Sequence, residues 1–216
     1  LLDRGAKIIV IACNTASAAA LHSLRRAFPQ VPFVGMEPAV KPAVERTRSG
    51  VVGIIATPAT FQGELFASLV ERYAGDTRVL TQACPGLVEA VEAGMVDTSE
   101  TEVLLRRCLA PLIEAGVDQL VLGCTHYPFL QPAIERVVGP GVAVIDPAPA
   151  VARQTARVLS QSGLWAERSR ASRHTLYTSG DAANFAALIE RMLPLLGKDA
   201  EVQPVRWRTG RLEPSA

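Results

Sequence analysis

Short apolar runs alternate along the chain with longer amphipathic stretches. The run Leu120–Leu122, which ends at Gly123 and is followed by polar residues, is typical. Runs of this length predict strands buried in a parallel sheet, and the stretches between them have the period of helices. We therefore expect an α/β fold with parallel-type sheets. The predicted strands are residues 7–12, 31–36, 50–56, 78–82, 117–122, 142–145, 174–179 and 201–208, with a loop over 163–172 and a tail from Gly210 onwards.

One pattern of strand, cysteine, helix, strand and acidic residue occurs twice. The first copy places Cys13-Asn-Thr after a strand and Glu37-Pro-Ala after the next, and the second places Cys124-Thr-His and Asp146-Pro-Ala in the same way. The cysteine and the acidic residue are 24 positions apart in the first copy and 22 in the second. Such an internal repeat predicts two similar α/β domains related by pseudo-two-fold symmetry, with a site between them. We place the first domain at residues 1–37 plus 147–216 and the second at 38–146.

Composition narrows the class of protein. The net charge is +1, from 22 basic and 21 acidic residues, so no basic surface for direct nucleic-acid binding is expected. No apolar run approaches the roughly 20 residues that span a bilayer, and no signal peptide is visible. Four irregularly spaced cysteines do not resemble a secreted disulfide framework. We therefore expect a cytoplasmic protein with free thiols and no membrane contact. Cys108 is expected to be a packing residue of a helix, and Cys84, in a loop before Pro85, either packs or lines a site.

The chain opens on Leu1 rather than Met, and Gly5 has the place of a helix C-cap. Because a last turn needs a helix before it, we expect a further N-terminal segment, which belongs to the first domain.

Cys13 and Cys124 are the main candidates for chemistry. A thiolate can remove a proton from one face of a carbon while a second thiol protonates the opposite face, which inverts a stereocentre. A thiol has an ordinary pKa of about 8.5, so each cysteine needs a partner that favours its working form, and His126 is a candidate. The alternatives are small buried residues at strand ends, a zinc site and disulfide exchange. Zinc and exchange are disfavoured because no CxxC motif accompanies either cysteine.

The polar residues around the cysteines have two interpretations. His126 is either a catalytic aid or a loop histidine that bonds the backbone. Asn and Thr side chains at strand ends either hold a substrate or cap the helix that follows. The candidates are Asn14, Thr15, Thr57, Thr60 and Thr125.

Three segments together resemble the glutamate racemases of the aspartate/glutamate racemase family. They are residues 9–17 (IVIACNTAS), 83–94 (ACPGLVEAVEAG) and 122–128 (LGCTHYP). The resemblance implies two α/β domains with the active site between them and a cofactor-independent, metal-free isomerase that makes D-glutamate for peptidoglycan, and hence for cell wall biogenesis and cell shape.

By the same resemblance, Cys13 and Cys124 are the acid/base residues, His126 and Glu92 assist Cys124, and the substrate is held by Asn14, Thr15, Thr57, Thr60 and Thr125. A histidine after Cys-Thr favours glutamate, since aspartate racemases usually carry Glu there. The family's opening Asp-Ser-Gly, whose Asp supports the first cysteine, does not occur in this sequence. The alternatives are an aspartate or other amino-acid racemase, or a catalytically impaired fragment or binding protein. A homodimer and binding to gyrase are expected by family analogy only.

Overall fold

The structure is a computed structural model that describes residues 1–62, 64–166, 173–194, 196 and 200–215. Its internal contacts divide the chain into one unit of residues 1–91 and 95–165 and another of residues 92–94 and 166–216. Most of the predicted loop over 163–172 lies outside the described residues. The domain boundaries expected from the repeat stay a prediction.

The first unit contains two parallel sheets and their connecting helices. Its strands are β1 (Ile9–Val10), β2 (Phe33–Val34), β3 (Val51–Ala56), β4 (Arg78–Ala83), β5 (Gln119–Leu122) and β6 (Ala143–Ile145). Its helices are α1 (Asn14–Ala27), α2 (Val40–Arg46), α3 (Pro58–Phe61), α4 (Glu64–Tyr73), α5 (Leu87–Glu92), α6 (Ser99–Glu114), α7 (Gln131–Val138) and α8 (Ala148–Gln161), with 3₁₀ turns at Leu2–Arg4 and Tyr127–Leu130. The predicted α/β fold with parallel sheets is confirmed.

The larger sheet has the strand order β4-β3-β5-β6, and every pair in it is parallel. All four residues of β5 are buried, as expected for a central strand whose two faces are both covered. Helices α2 and α4 cover one face, where Ile54 and Val121 pack with Phe66 and Leu69. Each such buried aliphatic or aromatic side chain contributes about 1.5–3 kcal/mol, so this packing fixes the end of β5, from which Cys124 emerges.

The smaller sheet consists of β1 and β2, which pair in parallel only at Ile9 with Phe33 and at Val10 with Val34. The predicted strand over residues 7–12 is therefore longer than the observed one. The chain turns into α1 at Cys13, which is the N-cap of that helix. This connection places Cys13 beside the end of its strand, as the sequence predicted.

The second unit contains β7 (His174–Thr178), α9 (Ala182–Met192), β8 (Ala200–Arg208) and β9 (Arg211–Pro214). β8 pairs in parallel with β7 and antiparallel with β9. The expectation of a tail from Gly210 onwards was wrong, because Thr209 and Gly210 both have positive φ values, 45° and 77°, and form a tight hairpin turn. Threonine rarely takes this conformation, so the sequence carried only half of the usual turn signal.

The structure joins Cys84 and Cys108 in a disulfide, and Cys13 and Cys124 are free. The expectation of free thiols was therefore wrong for the first two cysteines. The reason is packing: α6 lies against β4, which brings the two Cα atoms to 5.7 Å, within the range that a disulfide spans. Among the described residues, no helix is both long and apolar enough to cross a bilayer.

Candidate active site

The two free cysteines line one small cavity of about 160 Å³ in the first unit. Cys13 follows β1 and Cys124 follows β5, so the cavity lies at the carboxyl ends of two strands from different sheets. The lining residues are Cys13, Asn14, Thr15, Thr57, Thr60, Val88, Gly123, Cys124, Thr125 and His126. Of the residues predicted for the site, Glu92 alone is missing from this lining.

Cys13 lies at the amino end of α1. Its backbone is extended, with φ −148°, and its sulfur accepts a hydrogen bond from the backbone N–H of Ala16 over 3.5 Å. Helix N-termini present unpaired N–H groups and a positive end of the helix dipole. The Cys13 sulfur therefore lies at the positive end of the α1 dipole, where it receives one of these N–H groups.

Cys124 follows a glycine that the packing requires. The Gly123 N–H donates to the Ile55 carbonyl over 2.7 Å, and a Cβ added at position 123 would lie 2.8 Å from that oxygen. No side chain fits in this space, so glycine alone permits the close approach of β5 to the end of β3. One residue further on, the Cys124 sulfur lies 3.7 Å from Nδ1 of His126.

The turn after Cys124 is anchored by Tyr127. This side chain is fully buried, and its hydroxyl donates to the Cys84 carbonyl over 3.4 Å. Burial raises the pKa of Tyr127 well above its usual value, and the charges of Cys124 and Glu89 raise it further. Tyr127 therefore remains a hydrogen-bond donor at physiological pH and holds the Cys124 turn against the disulfide-linked loop.

Three threonine hydroxyls form a chain along the cavity wall. The Thr60 oxygen lies 3.0 Å from that of Thr15 and 3.2 Å from that of Thr57. Thr57 precedes α3 but makes no capping bond to it, so the capping interpretation does not hold for this residue. Hydroxyls in such a chain can turn their hydrogens toward a carboxylate.

Asn14 links the two cysteine turns. Its side-chain Nδ2 donates to the Gly123 carbonyl over 2.7 Å, and the residue is buried. No donor within the described residues reaches its Oδ1, although that atom is also buried. A buried acceptor without a donor is costly, so this oxygen is suited to receive an N–H from a bound ligand.

Two residues fall outside the expected picture. Val88 in α5 lines the cavity, and its residue type does not distinguish it from the buried apolar residues Leu87 and Val91 of the same helix. Glu92, at the end of α5, is grouped with the second unit. Its role beside Cys124 stays a prediction.

A sequence profile of the family described as Asp/Glu/hydantoin racemase matches residues 1–155. The chain belongs to that racemase family. The glutamate racemase of Roseiflexus sp. strain RS-1 is 52% identical to this racemase over 193 residues, covering 89% of this chain and 71% of the relative. The enzyme class that the three motifs suggested is therefore confirmed.

Solved structures of glutamate racemases resemble this racemase in fold. The Escherichia coli enzyme, solved with L-glutamate and the activator UDP-MurNAc-Ala, has a TM-score of 0.78 at 29% identity, covering 97% of this chain and 74% of that one. The Francisella tularensis enzyme, solved with D-glutamate, has a TM-score of 0.76 at 25% identity, covering 93% of this chain and 75% of that one. Sequence similarity and fold similarity thus both relate this racemase to glutamate racemases.

Proposed function

We propose that this racemase interconverts L- and D-glutamate without a cofactor, with Cys13 and Cys124 as the two acid/base residues. One observation carries the proposal: two free thiols from different sheets line the same small cavity. A single thiol could serve packing alone, but two thiols in one cavity, beside Asn and Thr side chains, match what a two-base inversion needs.

The reaction requires a proton transfer on each face of the α-carbon. One cysteine thiolate removes the α-proton, and the electron pair of the C–H bond is delocalised into the adjacent carboxylate. The other cysteine, as a thiol, donates its proton to the opposite face. After one turnover the first cysteine is protonated and the second is a thiolate, so the enzyme is ready for the reverse reaction and needs no external acid or base.

The neighbours of each sulfur support these roles. Cys13 lies at the amino end of α1, and His126 lies where its Nδ1 can exchange a hydrogen bond with Cys124. Glu92 is proposed to assist on the Cys124 side. The same helix terminus can stabilise negative charge that develops on the substrate carboxylate during deprotonation.

The polar wall fits an amino acid with an acidic side chain. The hydroxyls of Thr15, Thr57 and Thr60 can donate to a carboxylate, together with Thr125, and Oδ1 of Asn14 can accept from the α-ammonium group. Glutamate is favoured because the relatives near 50% identity are glutamate racemases and two similar structures contain L- or D-glutamate. D-glutamate made in this way would supply peptidoglycan synthesis, as expected for the family.

The deciding experiment follows the α-proton. The purified protein is incubated with L-glutamate, D-glutamate or L-aspartate in D₂O without pyridoxal phosphate, and proton NMR and circular dichroism record α-exchange and inversion. We expect both to occur with each glutamate enantiomer. Rates with Cys13→Ala and Cys124→Ala should fall at least about 10³-fold, while Cys108→Ala, which removes a cysteine outside the cavity, should retain activity.

The outcomes separate the alternatives. Inversion of aspartate in preference to glutamate would replace the substrate. Glutamate binding without any exchange would indicate a binding protein. Full activity in either cavity variant would refute the two-thiol mechanism.

A further inference from the structure

The hydroxyl of Ser17 joins the exits of both strands in the smaller sheet. It donates to the Ile11 carbonyl over 3.0 Å and accepts the backbone N–H of Met36 over 2.9 Å. Ser17 lies in the first turn of α1, is 3% exposed, and its own N–H donates to the Cys13 carbonyl over 2.8 Å. One buried side chain is thus bonded to the strand end before Cys13, to Cys13 itself and to the exit of β2.

The place of this hydroxyl follows from the hydrogen bonds of the sheet. The Ile9 N–H donates to the Pro32 carbonyl, and the Ile11 N–H donates to the Val34 carbonyl. In a parallel ladder, the next bond in this series runs from the Met36 N–H to the Ile11 carbonyl. Both of these groups instead bond the Ser17 hydroxyl, which is therefore inserted between the strands where a direct bond is due.

The surroundings leave little freedom for this hydroxyl. Position 35 is glycine, and a Cβ added there would lie 3.4 Å from the Ser17 oxygen and 2.4 Å from Cδ2 of Leu21. The helix thus approaches β2 closely at this point, and the absence of a side chain at Gly35 makes room for Leu21. The separation of the two strand exits is set by one hydroxyl in a closely packed space.

We propose that Ser17 is a positioning residue for Cys13, which holds the strand exit open so that the thiol reaches the cavity; this rests on the function proposed above. Without the hydroxyl, the Met36 N–H can bond the Ile11 carbonyl directly. The segment from Ile11 to Cys13 then moves toward β2 and carries the thiol away from the reacting carbon. Ser17 is not among the residues that line the cavity, so the proposed role is exerted through Cys13.

The test compares Ser17→Ala with the wild type and with Ser68→Ala. Ser68 is the control, because its hydroxyl also donates to a backbone carbonyl, that of Leu65, but lies on the exposed side of α4. We expect Ser17→Ala to lower kcat for glutamate by about 10²-fold with a smaller change in KM, since a displacement near 1 Å has that effect on a reacting group. Ser17→Thr, which keeps a hydroxyl, should recover part of the rate, and Ser68→Ala should match the wild type.

The ratio of α-exchange to inversion in D₂O distinguishes a positioning role of Ser17 from a role in stability alone. When Cys13 is misplaced, it seldom delivers a deuteron to its own face of the α-carbon. The proton that Cys124 removed is meanwhile replaced by a deuteron from solvent, and Cys124 returns this deuteron to the face from which the proton was taken. We expect exchange without inversion to rise for one enantiomer only. The rate of Cys13 alkylation by iodoacetamide, relative to Cys124 and measured by peptide mass, should change as well.

The outcomes either support or overturn the positioning role of Ser17. An unchanged ratio and an unchanged relative alkylation rate overturn the proposal, even where Ser17→Ala lowers the thermal midpoint. If Ser17→Ala does not fold, Ser17→Cys keeps the volume while weakening both bonds and enters the same comparison. An inactive wild type would refute the racemase function separately, and the alkylation comparison would still decide whether Ser17 positions Cys13.

Discussion

The side chain of Asn14 donates to the backbone carbonyl of Gly123 over 2.7 Å, across 109 positions of sequence. Asn14 directly follows Cys13, and Gly123 directly precedes Cys124. One hydrogen bond therefore sets the separation of the two cysteine turns. Because the bond is buried, it is not weakened by competition with water. The Oδ1 atom of the same residue has no donor among the described residues, which makes it available for the substrate contact proposed above.

Replacement of Asn14 tests this double role. Asn14→Asp keeps the shape and the Oδ1 acceptor but places a carboxylate oxygen against the Gly123 carbonyl. We expect kcat/KM for glutamate to fall at least about 10²-fold and the free energy of unfolding to fall by about 1–3 kcal/mol, because a buried carbonyl loses its donor. Steady-state kinetics and urea unfolding measure the two effects. Asn184→Asp on the exposed surface of α9 is the matched control and should change neither. Wild-type kinetics in Asn14→Asp would refute a role of the Asn14–Gly123 hydrogen bond in the site.

A substitution in the threonine chain is expected to weaken substrate binding more than turnover. Thr60 is 5% exposed and lies between Thr15 and Thr57. Thr60→Val keeps the volume and removes the central hydroxyl, so both neighbours lose their partner. We expect KM for glutamate to rise about tenfold with a smaller change in kcat, as for the loss of one hydrogen bond to a charged group. Thr155→Val on α8, whose hydroxyl donates to the Val151 carbonyl of its own helix and is not part of the cavity lining, should leave KM unchanged. A fall in kcat alone would contradict a binding role.

The sequence predicted the parts of the site that depend on local order along the chain. The repeat brought out Cys13 and Cys124, because a strand followed by a polar residue is visible in a single segment. Val88 could not be predicted, since an apolar residue on a helix shows no sign of the cavity that it faces. The pairing of Cys84 with Cys108 depends on how α6 packs against β4, and the role of Ser17 depends on the hydrogen bonds of two strands. These features arise from contacts between segments, which the pattern of one segment does not contain.

Because of the disulfide, the free energy of unfolding is expected to depend on reducing agent. It closes a loop of 24 residues, for which chain entropy gives about 3 kcal/mol. We expect dithiothreitol to lower the free energy of unfolding of the wild type by about this amount, measured by urea unfolding, and to leave Cys108→Ala unchanged. Cys108→Ala thus serves as the control for any direct effect of the reagent. Peptide mapping without reduction should find Cys84 linked to Cys108. Equal stability with and without reducing agent, or both thiols free in the map, would contradict the disulfide.

The contribution of Asp118 to the free energy of unfolding is expected to fall in acid. This residue lies just before β5, and its carboxylate accepts the Thr47 hydroxyl at 2.5 Å and the backbone N–H groups of Arg48 and Ser49 at 2.6 and 3.0 Å. Burial raises its pKa, but these hydrogen bonds lower it more, so the pKa of Asp118 lies below its ordinary value of 3.8. The bonds therefore stabilise the folded protein fully above that value, and the contribution is lost as pH falls through the lower, folded pKa.

Asp118→Asn is thus expected to lower the free energy of unfolding by about 1–2 kcal/mol at neutral pH, since the charge-assisted bonds are weakened and the site is partly exposed. Urea unfolding at pH 7, 5 and 3 should show a constant difference from the wild type at the two higher values and a smaller one at pH 3. Asp76→Asn, an exposed aspartate in the turn before β4, should follow the wild type at every pH. A difference that is as large at pH 3 as at pH 7 would mean that packing of the side chain, and not its charge, holds the turn after α2 against the start of β5.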